Sequence, residues 1–147
     1  MMVYLLILLA LLVGSAFASQ TAINAQLRAH IGNPFLAALV SFFVGTVVLS
    51  LYAAITRPEI STEQIGRAPW WVWMGGFLGA FNVAVSIILI PRLGALALVS
   101  LIVTGQILAS LLLDHFGLIG LSVREMSPAR VIGALLVIGG VILIVRN

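Results

Sequence analysis

The residues best suited to chemistry are amide and hydroxyl side chains that lie within long apolar segments. At a helical rise of about 1.5 Å per residue, Gln20 falls within about 10 Å of the middle of its segment. Asn82, Thr104 and Gln106 fall close to the middle of theirs. Asn24 follows Gln20 by one helical turn on the same face, near the segment boundary. At such depth each polar group needs a hydrogen-bond partner or a water-filled cavity.

These polar side chains have two interpretations. As links between helices, they would contribute about 0.6 to 2 kcal/mol each. An amide, however, carries more donors and acceptors than one interhelical contact satisfies, and transporters commonly bind substrate near the midplane. For the set of Gln20, Asn82 and Gln106 we therefore favour a substrate cavity over helix packing.

Aromatic side chains accompany the polar ones. Phe17, Trp73 and Phe81 would add stacking or cation–π contacts if the ligand is a cation. Trp70 and Trp71 open the third apolar segment, where aromatic residues typically anchor a helix at the membrane interface. We interpret that pair as anchors rather than ligand contacts.

Other chemistry finds no support in the sequence. No Asp, Glu, Lys or Arg lies deep in any apolar segment, so no intramembrane proton carrier of the usual kind is predicted. The chain has no Cys, and its two histidines, His30 and His115, stand far apart in the sequence. No metal site, cofactor or enzymatic activity is therefore predicted. The arginines are isolated rather than clustered on a basic face, which argues against nucleic-acid binding.

The elements that position these residues are membrane helices. Hydrophobic residues make up 63% of the chain and charged residues 7%, against about 25% charged residues in a soluble domain. A membrane-spanning helix needs about 20 apolar residues. The predicted fold class is an all-α polytopic helix bundle in a single membrane domain over residues 1–147. Its five helices are predicted at about 2–27, 34–56, 70–90, 94–113 and 128–146.

The first segment has a second interpretation. Its apolar run ends in Ala16-Phe17-Ala18, which resembles the cleavage site of a secretory signal. The residues before the run carry no positive charge, however, although a signal peptide usually has one there. A retained first helix is preferred.

The arginines barely favour either orientation of the chain. With five spans the termini lie on opposite sides, and the side richer in Lys and Arg is expected to face the cytoplasm. Four arginines (Arg57, Arg67, Arg124, Arg130) fall on the N-terminal side and three (Arg28, Arg92, Arg146) on the other. Either the chain inserts both ways, or a partner of opposite orientation accompanies it, or the near balance is chance.

Several short motifs resemble those of a known family. They are Gln20-x-x-x-Asn24-x-x-Leu27-Arg28, Trp71-x-Trp73-x-Gly75-Gly76-x-x-Gly79, Pro91-x-Leu93-Gly94, Gly105-Gln106 and Asp114-His115-Phe116-Gly117-x-x-Gly120. In their order and spacing the sequence resembles the half-size, five-helix YdcZ-like family of the drug/metabolite transporter superfamily. The resemblance implies half of a ten-helix, inverted two-fold unit, completed by a second copy or a paralogue. The four-helix multidrug exporters have an acidic residue in the middle of their first helix, but this chain has Gly14, Ser15 and Ser19 at that depth.

The sequence thus predicts a transporter subunit of the bacterial inner membrane. It would move a small molecule, either a metabolite or an organic cation, by alternating access of an antiparallel dimer surrounded by lipid. The predicted substrate-binding residues are Gln20, Asn24, Asn82, Thr104, Gln106, Trp73, Phe17 and Phe81. The alternative is a non-transporting accessory membrane protein whose amides only pack helices.

Overall fold

All the regular elements in residues 2–59 and 61–146, which the computed structural model describes, are helical. The helices are α1 (Met2–Ile31), α2 (Pro34–Thr56), α3 (Thr62–Gly66), α4 (Met74–Leu93), α5 (Ala95–Phe116) and α6 (Pro128–Arg146), with short 3₁₀ turns at Trp70–Trp73 and Leu118–Gly120. Counting Trp70–Leu93 as one span, five of these segments are long and apolar enough to cross a membrane. The prediction of five membrane helices is confirmed.

The chain divides into two compact units, residues 1–92 and 93–147, which are described separately. In the first unit α1 packs along α2. Its core is small and is built from alanines of α2 and residues of α4: Ala37, Ala38, Ala84 and Ile87, flanked by Leu27 and Val83. In this core the contacts between α2 and α4 are made by side chains, whereas the close approach of backbones in this unit is between α1 and α2. Most large apolar side chains point outward, as a lipid-facing surface requires.

The first helix continues four residues beyond its predicted end at Leu27. It ends at Ile31, where Gly32 takes a positive φ of 80°, a backbone conformation that glycine adopts without steric cost. Asn33 then caps α2, because its Oδ1 accepts hydrogen bonds from the backbone N–H groups of Phe35 (2.8 Å) and Leu36 (3.1 Å). Pro34 occupies the first turn of α2, where its missing N–H costs nothing.

The structure corrects the predicted end of the third membrane helix, because residues 91–93 are helical and do not form the link to the next helix. Pro91 lies inside α4, which continues to Leu93, and the turn to α5 is made at Gly94 with a φ of 77°. Proline inside a helix removes one backbone hydrogen bond, namely the one to the carbonyl four residues earlier. Here that carbonyl belongs to Ile87, and it accepts a hydrogen bond from Arg28 Nη1 at 3.3 Å instead.

In the second unit α5 packs against α6, with Leu98, Ala134 and Val141 buried. The helix α5 continues three residues past its predicted end at Leu113, so that Asp114 is helical and not in a loop. It ends where Gly117 adopts a left-handed conformation (φ 59°). A Cβ at this glycine would lie 2.7 Å from Cγ2 of Val123, so both the backbone conformation and the space favour glycine here.

Candidate functional site

A small cavity lies between α1 and α4 in the first unit. Its volume is about 10 Å³, and it is lined by Phe17, Gln20, Thr21 and Asn24 of α1 and by Asn82, Val83, Ser86 and Ile87 of α4. The residues of α1 fall at positions i, i+3, i+4 and i+7 and those of α4 at i, i+1, i+4 and i+5, so each set forms one helical face. A cavity of this size has about the space that one water molecule needs.

Two of the buried polar side chains in this cavity are satisfied locally. Thr21 Oγ1 donates to the carbonyl of Phe17 at 2.9 Å. Ser86 Oγ donates to Asn82 Oδ1 at 3.2 Å. Both Thr21 and Ser86 are only 5% exposed. Each hydrogen bond joins residues one turn apart in the same helix, so neither links α1 to α4.

Asn24 is the exception among the buried side chains of the cavity. The residue is 4% exposed, yet its amide makes no hydrogen bond to any part of the chain that the structure describes. Among the side-chain atoms that the structure describes, the one fully enclosed without a partner is Nδ1 of His115. The Asn24 amide, which offers two donors and two acceptor lone pairs, therefore keeps some contact with the cavity. Water or a ligand in the cavity would supply the missing partner.

Gln20 lines a second space as well. This groove of about 250 Å³ lies between α1 and α2 and is lined by Gln20, Ser41, Phe42, Gly45, Thr46 and Leu49. The hydroxyl of Thr46 donates to the carbonyl of Phe42 (2.9 Å). Gln20 therefore borders both the cavity and the groove.

The structure thus brings Phe17, Gln20, Asn24 and Asn82 to one cavity. The other two aromatic residues of the predicted site, Trp73 and Phe81, belong to the same unit but do not line this cavity. Their side chains are 62% and 61% exposed. Their predicted contact with substrate stays a prediction.

Thr104 and Gln106 belong to the second unit. Thr104 Oγ1 donates to the carbonyl of Ser100 at 2.9 Å. Gln106 is exposed and lines a groove of about 290 Å³ beside α6, together with Val103, Ile107, Ser110, Leu111, Asp114 and Arg130. Arg130 Nη1 lies 3.6 Å from Asp114 Oδ2, with about a third of each side chain exposed. An ion pair so exposed contributes little stability. The role of Thr104 and Gln106 in a substrate site also stays a prediction.

Sequence reasoning did not select Thr21 or Ser86 for the cavity. Each follows a selected residue, Phe17 or Asn82, by four positions. A search for hydroxyl side chains one turn from each amide or aromatic residue, on the same helical face, would have found both.

Comparison with known proteins defines the class of this protein. Residues 5–143 match the profile of the family DMT_YdcZ, described as "Putative inner membrane exporter, YdcZ". With its five membrane-length helices, the chain is a multi-pass inner-membrane protein. It belongs to the DMT_YdcZ family, and the resemblance inferred from its motifs is confirmed.

One relative in this family is Inner membrane protein YdcZ of Escherichia coli (strain K12). It is 31% identical over 85 residues, which make up 58% of this chain and 56% of that protein. The matched segment therefore spans about half the length of the relative. No solved structure matches the chain significantly.

Proposed function

We propose that this chain is one half of a transporter that moves a small polar molecule through an uncharged, amide-lined site near the membrane midplane. The observation that carries the proposal is the buried Asn24 amide, which faces a cavity and has no hydrogen-bond partner in the described residues. Gln20 and Asn82 line the same cavity. A site that only packed helices would be expected to pair such groups, since buried polar groups are normally hydrogen-bonded.

The proposed mechanism is alternating access in a dimer whose two chains insert in opposite orientations, as either two copies or this chain and a paralogue. The near balance of four arginines against three supports both orientations. The division of the chain at residues 92 and 93 also supports separate roles for its two parts. The first three spans would move about the substrate while α5 and α6 hold the dimer together. Thr104 and Gln106 are also proposed as substrate contacts in this mechanism.

A second candidate is a non-transporting accessory protein. The observation in its favour is the small volume of the α1–α4 cavity, about 10 Å³, which admits no metabolite unless the helices separate. The two candidates differ in one measurable property. Only a transporter carries solute across a sealed membrane.

Flux through reconstituted vesicles tests the proposal. The panel is succinate, glutamate, benzoate, putrescine and ethidium, so that anions, a zwitterionic anion and cations are all represented. We expect at least one compound to cross faster with the wild-type protein than through empty vesicles. That flux should fall about tenfold or more in Asn82→Ala and in Gln106→Ala, because each loses a hydrogen bond to substrate.

Ser19→Ala is the matched control, because its hydroxyl is exposed and bonds only to the carbonyl of Ser15. Its flux should equal that of the wild type. Transport by neither the wild type nor any variant would favour the accessory role. Unchanged flux in both Asn82→Ala and Gln106→Ala would show that the proposed site is wrong.

A further inference from the structure

We propose, resting on the transport function above, that the substrate is a small carboxylate and that Arg28, which lies beyond one end of the uncharged amide-lined site, binds its carboxylate group. The sequence alone allows either a metabolite or an organic cation as the substrate. The surroundings of the α1–α4 cavity favour an anion. Three features favour a carboxylate: Arg28 lies at one end of the cavity, its partner in the first unit is a neutral carbonyl, and the first three spans contain no Asp or Glu.

Arg28 lies at one end of the cavity. It follows Asn24 by one helical turn, on the same face of α1. Its side chain is half-buried, and Nη1 lies 3.3 Å from the carbonyl oxygen of Ile87, a residue that lines the cavity. The guanidinium therefore contacts the backbone of a residue that lines the cavity, although Arg28 itself does not line it.

The partner of Arg28 exists because of Pro91. A proline has no backbone N–H, so the carbonyl of Ile87, four residues earlier in α4, has no helical donor. This carbonyl is neutral, and 3.3 Å is long for a hydrogen bond from a guanidinium, since charge-assisted bonds to carboxylates measure about 2.7–2.9 Å. A ligand carboxylate would be a stronger acceptor than the carbonyl that Arg28 now contacts.

The charge of Arg28 is uncompensated in the part of the chain that the structure describes. The ion pairs found there join Arg67 to Glu63 and Arg130 to Asp114. No Asp or Glu occurs in the first three spans. A cationic substrate would meet a positive charge and no counter-ion, whereas a carboxylate would meet a planar guanidinium that can bind it through two parallel hydrogen bonds.

Asn24 adds a second point of recognition one turn deeper. Its unpaired amide can donate to or accept from another polar group of the same ligand. Together the two side chains describe a site for a small molecule with a carboxylate at one end and a hydrogen-bonding group about one helical turn away, roughly 6 Å along the axis.

The competing explanation is that Arg28 only satisfies the carbonyl that Pro91 leaves free. Pro91→Ala separates the two roles, because alanine restores the N–H that the carbonyl of Ile87 lacks. If Arg28 were only a structural partner, Arg28→Gln would have no further effect in a Pro91→Ala background. If Arg28 binds substrate, its loss weakens ligand binding in both backgrounds.

The test measures thermal stabilisation of the purified full-length chain by matched probes, since a ligand that binds only the folded state raises its apparent stability. The probes are benzoate, benzamide and benzylammonium, and succinate, succinamide and putrescine. We expect at least one carboxylate to stabilise the protein and its amide and amine counterparts to do so far less. Arg28→Gln should weaken the carboxylate effect about tenfold or more in apparent Kd, with and without Pro91→Ala.

Arg92→Gln is the control, because it removes the same charge from an exposed position at the end of α4. It should leave the carboxylate effect intact. A lipid headgroup is tested by adding phosphatidylglycerol to the protein in lipid-free maltoside micelles. Stabilisation by that lipid with none by either carboxylate overturns the proposal.

Other outcomes overturn the proposal as clearly. Stabilisation by the amines, or by neither carboxylate, contradicts an anionic substrate. Equal carboxylate binding in Arg28→Gln and the wild type excludes Arg28 as the contact. These results leave the transport proposal standing if vesicles still carry a compound of the flux panel, and that proposal fails separately if none crosses.

Discussion

Asn24→Leu is expected to stabilise the protein and to abolish its transport. Leucine keeps the branched side-chain skeleton of asparagine, with two methyl groups in place of the amide oxygen and nitrogen, and the cavity beside Asn24 accepts part of their larger volume. It removes an amide that lines the cavity without a partner in the described residues, and such a group costs at most about 1–3 kcal/mol. We expect a comparable gain in the free energy of unfolding, measured in mild detergent, and vesicle flux at the level of empty vesicles.

The combination of the two effects is what makes this substitution informative. A residue that only packs would give a stability change without a separate loss of flux, and a residue that is merely exposed would give neither. Ser19→Ala again serves as the control on the same helix. A leucine variant that is less stable than the wild type and still transports would contradict the assignment of Asn24 to a substrate site.

The second large effect is expected at Ile87. Its side chain is fully buried between the alanines of α2 and the face of α1. Ile87→Ala should lower the free energy of unfolding by about 2–5 kcal/mol, because truncation of a buried isoleucine removes contacts and leaves a cavity. Ile87→Val should cost only about 0.5–1.5 kcal/mol. Equilibrium unfolding in mixed micelles measures both.

Leu39→Ala is the matched control for this prediction. Leu39 belongs to the same unit but is 63% exposed, so in the membrane or a micelle its side chain meets lipid or detergent. Its truncation should cost much less than that of Ile87. Equal losses at the two positions would mean that the small core of the first unit does not determine stability.

The membrane spans could be predicted because their signal is length and composition. A run of about 20 apolar residues without charge admits few structures other than a membrane helix. The helix ends were less predictable. The apolar pattern stops at Leu27, but the hydrogen-bonded helix continues through Arg28 until Gly32 breaks it.

Pro91 shows a second limit of local sequence rules. A proline after an apolar run normally indicates that a helix has ended. Here α4 continues, and the carbonyl that proline leaves free is hydrogen-bonded by Arg28, which lies 59 positions away in the sequence. No local pattern predicts such a contact, because it depends on the packing of α4 beside α1.

Only part of the candidate site could be predicted, because the sequence gives the depth of a residue in its span but not the helix that it faces. Depth along a span can be counted from the sequence, and it selected Gln20, Asn24 and Asn82. Which helical faces meet cannot be counted in this way. The faces carrying Thr21 and Ser86 became evident only when the structure brought α1 and α4 together.

Water access to the cavity tests the central claim most directly. The chain contains no Cys, so single variants Asn24→Cys and Asn82→Cys can be labelled in vesicles with a charged, membrane-impermeant thiol reagent. A thiol reacts as its thiolate, which forms in water and not in lipid.

Phe43→Cys, at a position that is 65% exposed on α2, supplies a lipid-facing control. If helix movements open the cavity to water, both asparagine positions should react about tenfold faster or more than Phe43→Cys. Reaction at the asparagine positions as slow as at Phe43→Cys would contradict a substrate site between α1 and α4.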